Sequence, residues 1–299
     1  MIFSSLLLGG FAVMTESIIR IYVEPLDLFE QSVDVFLSAR TKSAIFGDSI
    51  VAAGVIPETP DFVNLATGGE SLDMLRRKVE IFFSDKEGGR AVIAANHNLM
   101  TRQLNGFADY DEIFAGKSRA RFRIAEKRHR AYSLKYWNVF LFEKFDSRRK
   151  TLKHGGEIYV RAELNRRYVD KPEHARETHA RNKVLQEAPI HSDRIPINRH
   201  RFEDTLNYLK LHGVQVCVVV FPMSPELRAI ADQQAEFAAT RRYFQQEAES
   251  RAMRFVNFWA YFDDAAMFID PTHMSEDGAR NFTPELINRC FPKPRDTNT

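Results

Sequence analysis

The stretch Val-Gln-Val-Cys-Val-Val-Val-Phe, residues 214–221, is an apolar, β-branched run that follows a glycine. Such a run is typical of a strand that is buried on both faces of a parallel sheet. Shorter candidate strands lie at 43–46, 61–65, 91–95 and 255–259, and segments with helical spacing of apolar residues lie at 25–37, 72–83, 201–211 and 225–254. This alternation predicts an α/β fold, with an open parallel sheet and helices on both of its faces.

The composition is that of a folded chain, because 44% of the 299 residues are hydrophobic and 27% are charged. It excludes a disordered protein, a collagen-like repeat and a multi-span membrane protein. The net charge is only +2, but residues 117–201 hold 23 Lys and Arg against 10 Asp and Glu, a net +13, which leaves −11 for the rest. We therefore expect a mildly acidic body with a partly helical basic insertion at about 105–197. Beside its basic residues this insertion carries an aromatic patch, namely Tyr132, Tyr136, Trp137, Phe140 and Phe142.

The first 15 residues form an uncharged, mostly apolar run that is followed by Glu16 and Arg20. The run is shorter than the roughly 20 residues that span a bilayer. It also lacks the basic start and the clear cleavage site of a signal peptide. Three interpretations stay open: a signal-anchor helix that extends to Val23, a signal peptide, or an apolar helix packed on the domain. We expect residues 1–23 to anchor residues 24–299 to a membrane, on its periplasmic or extracytoplasmic side, with a cytoplasmic location as the alternative.

The two cysteines, Cys217 and Cys290, are too few for a disulfide framework and match no metal motif. Because Cys217 lies in the apolar run, we expect a buried thiol. A disulfide between the two is the alternative in an oxidising compartment, although nothing in the sequence supports it.

No metal site and no cofactor are predicted. His174, Glu177 and His179 offer ligand chemistry, but their spacing is unsuitable. Two histidines at i and i+5 do not share a helix face as histidines at i and i+4 would.

Two short stretches at opposite ends of the chain supply the parts of a Ser-His-Asp triad. Gly47-Asp48-Ser49 follows the first strand, where a hydroxyl would stand near the N–H groups that begin a helix. Asp270 precedes His273 by three residues, so its carboxylate can orient the imidazole while the other ring nitrogen takes a proton. Each stretch alone is more often a helix cap or a surface turn. Together they predict a nucleophile, a base and an orienting acid.

Glycine and asparagine residues follow the next two strands. Gly68 and Gly69 come after the second strand, where a backbone N–H can point into the site. Asn96 and Asn98 come after the third strand, where an amide can donate to an oxyanion. Plain turn residues are the alternative interpretation for both pairs.

The order of these four stretches resembles the SGNH hydrolase superfamily, also called GDSL-type esterases and acyltransferases. Gly47, Asp48 and Ser49 match its first block, although Ile50 replaces the usual Leu. In its second block a Gly stands about five residues after an Asn, as Gly69 stands after Asn64.

The last block of this superfamily, Asp-x-x-His, is matched by Asp270 and His273. The third block, Gly-x-Asn-Asp, is only partly kept: Asn98 aligns with its Asn, while Asn96 and Leu99 replace the Gly and the Asp. The resemblance covers roughly residues 43–99 and 210–286 and leaves out the basic insertion.

The resemblance implies a flavodoxin-like three-layer fold with a central parallel sheet. It also implies ester hydrolysis or O-acyl transfer, for example of acetyl groups, through an acyl-enzyme. The implied catalytic residues are Ser49, His273 and Asp270. The implied oxyanion hole is formed by the N–H groups of Ser49 and Gly69 with the side chain of Asn98, and the alternates are Gly68 and Asn96.

The expected partners are an acyl ester or carbohydrate substrate and, through residues 1–23, a membrane. An anchor before such a domain resembles bacterial cell-surface relatives that add or remove acetyl groups on polysaccharides. The basic insertion with its aromatic rings suits an anionic polysaccharide, and a solvated, salt-bridged surface is the other interpretation. Nucleic acid is not expected, because no groove-reading motif is present. The alternative function is a weakly active or inactive SGNH-like module that binds an anionic polysaccharide or scaffolds an envelope complex.

Overall fold

The computed structural model describes residues 2–23, 28–57, 60–101, 122–125, 168–187 and 192–292, and the single residues 130, 133, 134 and 137. The chain divides into two compact units, residues 1–38 with 111–163 and residues 39–110 with 164–299. Of the predicted insertion at about 105–197, residues 111–163 thus belong to the first unit, and residues 105–110 and 164–197 belong to the second. The aromatic patch apart from Trp137, and the tail from residue 293, lie outside the described residues.

A parallel sheet of five strands forms the centre of the second unit. The strands are β1 (Ser43–Phe46), β2 (Val63–Asn64), β3 (Arg90–Ala94), β4 (Gln215–Val220) and β5 (Arg254–Asn257). Their order is β2-β1-β3-β4-β5, the order of flavodoxin-like doubly wound sheets. The predicted α/β class is confirmed, and each strand lies within about two residues of its predicted position.

Ten α-helices are described. They are α1 (Ile2–Ile18), α2 (Leu28–Ser38), α3 (Ser49–Gly54), α4 (Leu72–Phe83), α5 (His97–Thr101), α6 (Glu173–Glu187), α7 (Ile195–Leu211), α8 (Pro225–Ala231), α9 (Ala235–Ser250) and α10 (Glu276–Cys290). The prediction of one helix over 225–254 is wrong, because α8 ends before Asp232. The Asp232 carboxylate accepts hydrogen bonds from the indole N–H of Trp259 at 3.0 Å and from Arg241 at 2.9 Å. These tertiary contacts stabilise the non-helical conformation of the chain between α8 and α9.

Both faces of the sheet are covered. Every residue of β1 is buried, and so are residues 216–220 of β4. Because successive side chains of a strand point to opposite faces, burial at every position requires material on both sides.

A disulfide joins Cys217 in β4 to Cys290, the last residue of α10, with the two Cα atoms 5.5 Å apart. The prediction that Cys217 is buried is therefore confirmed, but the prediction that it is a free thiol is wrong, because its sulfur forms the disulfide. The sequence spacing of the cysteines could not show this, because the pairing depends on where the last helix packs.

In the first unit, α1 continues into a π-helical turn, and its polar residues bind the segment around residue 123. The two carboxylate oxygens of Glu16 accept the backbone N–H groups of Arg123 and Ile124, each at 2.9 Å. The indole N–H of Trp137 donates to the hydroxyl of Thr15 at 3.0 Å. Within the described ranges, none of the helices combines the length and the apolar character that crossing a bilayer requires.

Candidate active site

Ser49 begins α3 directly after β1. Gly47 makes the turn between them, because a Cβ atom at this position would meet the Cβ of Ala94 at 2.8 Å, closer than such atoms approach. Asp48 caps the helix, since its Oδ1 accepts the N–H of Ile50 at 3.1 Å. Ser49 therefore occupies the first helical position, where backbone N–H groups have no carbonyl partner within the helix.

This turn lies at the topological switch point of the sheet. Strands β2 and β3 flank β1 on opposite sides, so the chain connections leave β1 and β3 in opposite directions. Ligands of doubly wound sheets bind at the carboxyl ends of the strands at such a point. Ser49 follows β1, and Asn96 and Asn98 follow β3.

The structure brings the three predicted triad residues together across 224 residues of sequence. Nε2 of His273 lies 3.0 Å from Oγ of Ser49, and Nδ1 lies 2.7 Å from Oδ2 of Asp270. The other oxygen of Asp270 accepts the backbone N–H groups of Thr272 at 2.7 Å and His273 at 2.8 Å. These bonds fix the carboxylate, which in turn fixes the imidazole.

The charges of His273 and Asp270 stabilise each other. Burial acts to raise the pKa of Asp270, but His273 and the backbone N–H groups outweigh it and lower that pKa. Burial likewise acts to lower the pKa of His273, and the carboxylate of Asp270 outweighs it, so the pKa of the imidazole is raised. The side chain of His273 remains 21% exposed and that of Asp270 remains 28% exposed, so solvent reaches the pair.

The loop after β2 carries both candidate glycines. A Cβ atom on Gly68 would lie 3.9 Å from the Cβ of Ser49, which places Gly68 beside the nucleophile. Gly69 has φ +77°, a left-handed conformation that favours glycine. Asn64 ties the loop to the helix of Ser49, because its amide donates to the carbonyls of Val51 at 3.1 Å and Val55 at 2.9 Å.

The two asparagines after β3 are buried and have different partners. The amide of Asn98 donates to Oδ2 of Asp48, so this side chain lies against the residue that precedes the nucleophile. Oδ1 of Asn96 accepts the N–H of Phe221 at 3.0 Å, which joins the ends of β3 and β4. The Asn96 amide nitrogen is buried without a hydrogen-bond partner among the described residues.

His97, between these asparagines, has a structural environment. Its Nδ1 lies 2.9 Å from the hydroxyl of Thr240 and its Nε2 lies 3.1 Å from the carbonyl of Glu187, while its ring stacks on Phe237. Burial lowers the pKa of His97 to about 4, so the ring is neutral at physiological pH. It connects α5 with α6 and α9.

Helix α6 places charged groups near the triad, which the sequence reasoning did not foresee. The charge of Lys183 acts to lower the pKa of His273, and the charge of Asp270 acts on His179. The pKa of His179 is nevertheless lowered, because burial dominates there. His179 and Lys183 are four residues apart on one helix, a spacing that puts both on one face and that could have identified them as a pair.

No group of His, Cys, Asp and Glu side chains suitable for a metal ion occurs in the described part of the chain. No protein-family model matches the sequence, and no curated protein matches it either. The functional interpretation therefore rests on the residues and their geometry.

Proposed function

We propose that this chain is a serine-dependent ester hydrolase or O-acyltransferase of the SGNH type. The observation that carries the proposal is the continuous hydrogen-bond chain from Ser49 through His273 to Asp270 at the switch point of the sheet. A hydroxyl, an imidazole and a carboxylate in this order form the arrangement that activates a serine nucleophile.

The first half of the proposed reaction forms an acyl-enzyme. Oγ of Ser49 attacks the ester carbonyl carbon while its proton moves to Nε2 of His273. Asp270 stabilises the imidazolium that results. The carbon–oxygen bond to the alcohol group then breaks, and His273 returns the proton to the departing oxygen, which leaves as an alcohol.

The tetrahedral intermediate requires hydrogen-bond donors for its oxyanion. We assign the N–H groups of Ser49 and Gly69 to this role, with Gly68 as the alternate that lies beside Ser49. Asn98 would contribute the second N–H of its amide, because the first is bound by Asp48. Preorganised donors of this kind typically stabilise the transition state by about 2.7–4 kcal/mol each.

The second half of the proposed reaction removes the acyl group. Water or an acceptor hydroxyl gives its proton to His273 and attacks the acyl carbonyl, and Ser49 leaves with that proton restored. Water as the acceptor yields hydrolysis, whereas a sugar hydroxyl yields acyl transfer. Both outcomes use the same three side chains.

The decisive experiment is intact-mass detection of an acetyl adduct on Ser49 after incubation with an activated acetyl ester. We expect Ser49→Ala to lose the adduct and at least about 10⁴-fold in turnover. Ser250→Ala is the matched control, because this exposed hydroxyl lies at the end of α9, where it donates to the carbonyl of Glu247 and accepts from Arg251. A folded wild-type chain without adduct or turnover would contradict the proposal and favour the alternative of a binding module.

We propose an extracytoplasmic, membrane-associated location, with an acyl ester or carbohydrate as the substrate. The Cys217–Cys290 disulfide supports an oxidising compartment. The exposed apolar side chains of Val13, Met14 and Ile21 support contact with lipid. If both cysteines react with an alkylating agent in intact cells before any reduction, the proposed compartment is wrong.

A further inference from the structure

A buried charge lies in the middle of α4. Nζ of Lys78 is 2.7 Å from Oε1 of Glu70, and the two side chains are 1% and 0% exposed. The neighbouring residues Leu75, Val79 and Phe82 are buried and apolar, so a methionine at position 78 would fill the same space. Burying an ion pair usually stabilises a fold no better than such an apolar replacement. Stability alone therefore does not account for Lys78.

Three acceptors of Lys78 lie in one loop, between β2 and α4. Besides Glu70, its ammonium group donates to the carbonyl of Leu65 at 2.8 Å and to the hydroxyl of Thr67 at 2.6 Å. A lysine ammonium has three N–H donors, and these three acceptors are enough to use them. Lys78 thus holds both ends of the segment from Leu65 to Glu70.

The held segment contains Gly68 and Gly69. It is tied to the nucleophile turn as well, because the N–H of Thr67 donates to the carbonyl of Gly47 at 3.1 Å. Glycine residues have no side chain of their own to anchor, and they adopt more backbone conformations than other residues. The direction of their N–H groups therefore depends on the anchors on either side, at Thr67 and Glu70.

We infer that Lys78 and Glu70 are positioning residues that aim the glycine N–H groups of this loop at the oxyanion of the reaction. This inference rests on the proposed function and deepens it. The pair does not touch substrate. It acts by fixing Thr67 and Glu70, and through them the backbone of Gly68 and Gly69.

The test is the double variant Lys78→Met/Glu70→Gln, assayed on an activated acetyl ester. It removes both charges at similar volume but leaves buried polar groups of the loop without the ammonium, so we expect a folded variant whose thermal unfolding midpoint lies below that of the wild type. With the loop released, kcat is expected to fall about 10²–10³-fold, as for the loss of one oxyanion donor, while KM stays within about threefold. The affinity for a boronic acid that forms a tetrahedral adduct with Ser49 is expected to fall by the same factor as kcat.

The matched control is Arg251→Met/Glu247→Gln. It removes a 2.6 Å ion pair between Glu247 in α9 and Arg251, the residue that follows this helix. This control is expected to keep the wild-type kcat. If Lys78→Met/Glu70→Gln does not fold, Thr67→Val serves instead, since it removes one acceptor and no charge. We expect it to lower kcat and boronate affinity together by roughly three- to tenfold, with KM unchanged.

The outcomes separate this inference from the function on which it rests. Wild-type kcat and boronate affinity in a folded double variant, or in Thr67→Val, would overturn the inference and leave the esterase intact. A fall in kcat that is matched by a rise in KM, with boronate affinity unchanged, would also overturn it. A wild-type chain that forms no acyl adduct removes both the function and the inference.

Discussion

The imidazole of His273 sets the expected pH dependence of turnover. His273 takes a proton from Ser49, so only the neutral ring is active. Since the charge of Asp270 outweighs burial and raises the pKa of His273, kcat/KM is expected to fall as the pH drops through a value above 6.5. A pH profile of kcat/KM measures this value directly.

Replacing the carboxylate tests the origin of that shift. In Asp270→Asn the charge that raises the pKa of His273 is lost and burial remains, so the acid limb of the profile should move to lower pH. The plateau should fall by roughly 10³–10⁴-fold, because the ring loses its orienting partner. Asp277→Asn, an exposed change in the first turn of α10, should leave the profile in place. An acid limb that is unchanged in Asp270→Asn would contradict the assigned cause.

Asp48 has a structural role beside the nucleophile. It is fully buried, and its two oxygens accept from the N–H of Ile50 and the amide of Asn98. Asp48→Ala removes a helix cap and leaves a buried amide without its acceptor, so we expect a loss of roughly 2–4 kcal/mol in the free energy of unfolding.

Urea denaturation measures this loss, and Asp264→Ala is the control. Asp264 also caps a helical turn, through the N–H of Ala266 at 2.8 Å, but it is exposed. Its replacement should cost only about 1 kcal/mol. Equal losses in the two variants would show that the buried bond to Asn98 contributes nothing.

The elements differ in how far the sequence predicts them. Strands are predictable here because each buried strand is a short apolar run, as in residues 91–95 and 214–221. The break between α8 and α9 could not be predicted, because its sequence contains neither Gly nor Pro. It depends on contacts of Asp232 with Trp259 and Arg241, which exist only in the folded unit.

Helix α1 is expected to protect the segment that it binds. Glu16 accepts the N–H groups of Arg123 and Ile124, and these bonds together with Arg20 lower its pKa although burial acts to raise it. Glu16→Ala should therefore expose the peptide bond after Arg123 to trypsin, with cleavage several-fold faster than in the wild type. Limited proteolysis with mass spectrometry of the fragments measures the rate.

The neighbouring variant Ser17→Ala provides the control for this experiment. The hydroxyl of Ser17 is exposed, and among the described residues it bonds the carbonyl of Val13 in the same helix. Cleavage after Arg123 should match the wild-type rate in this variant. If Glu16→Ala is cleaved no faster, or if the mature protein lacks residues 1–23, the role given to Glu16 is wrong.

At the scale of the whole molecule, the sequence predicted which residues would meet but not what supports them. Ser49 and the pair Asp270–His273 were identifiable because each stands in a short motif beside a predicted strand or helix. Lys78 was not, because a lysine in a helical segment is normally solvated, and only the packed loop shows where its charge lies. The sequence reasoning also missed His179 and Lys183 on α6, because it used the net charge of the basic segment and not the i, i+4 spacing of these two residues.

The disulfide is a property of the whole second unit, since it closes a loop of 73 residues that contains Asp270 and His273. A cross-link of this length restricts the unfolded chain and is expected to contribute about 4 kcal/mol to stability by the loop-entropy model. Reductant should therefore lower the urea midpoint of the wild type. It should not change the midpoint of Cys217→Val/Cys290→Ala, which lies near that of the reduced wild type. If the urea midpoint of the reduced wild type, with two titratable thiols, equals that of the oxidised protein, the cross-link does not stabilise the unit.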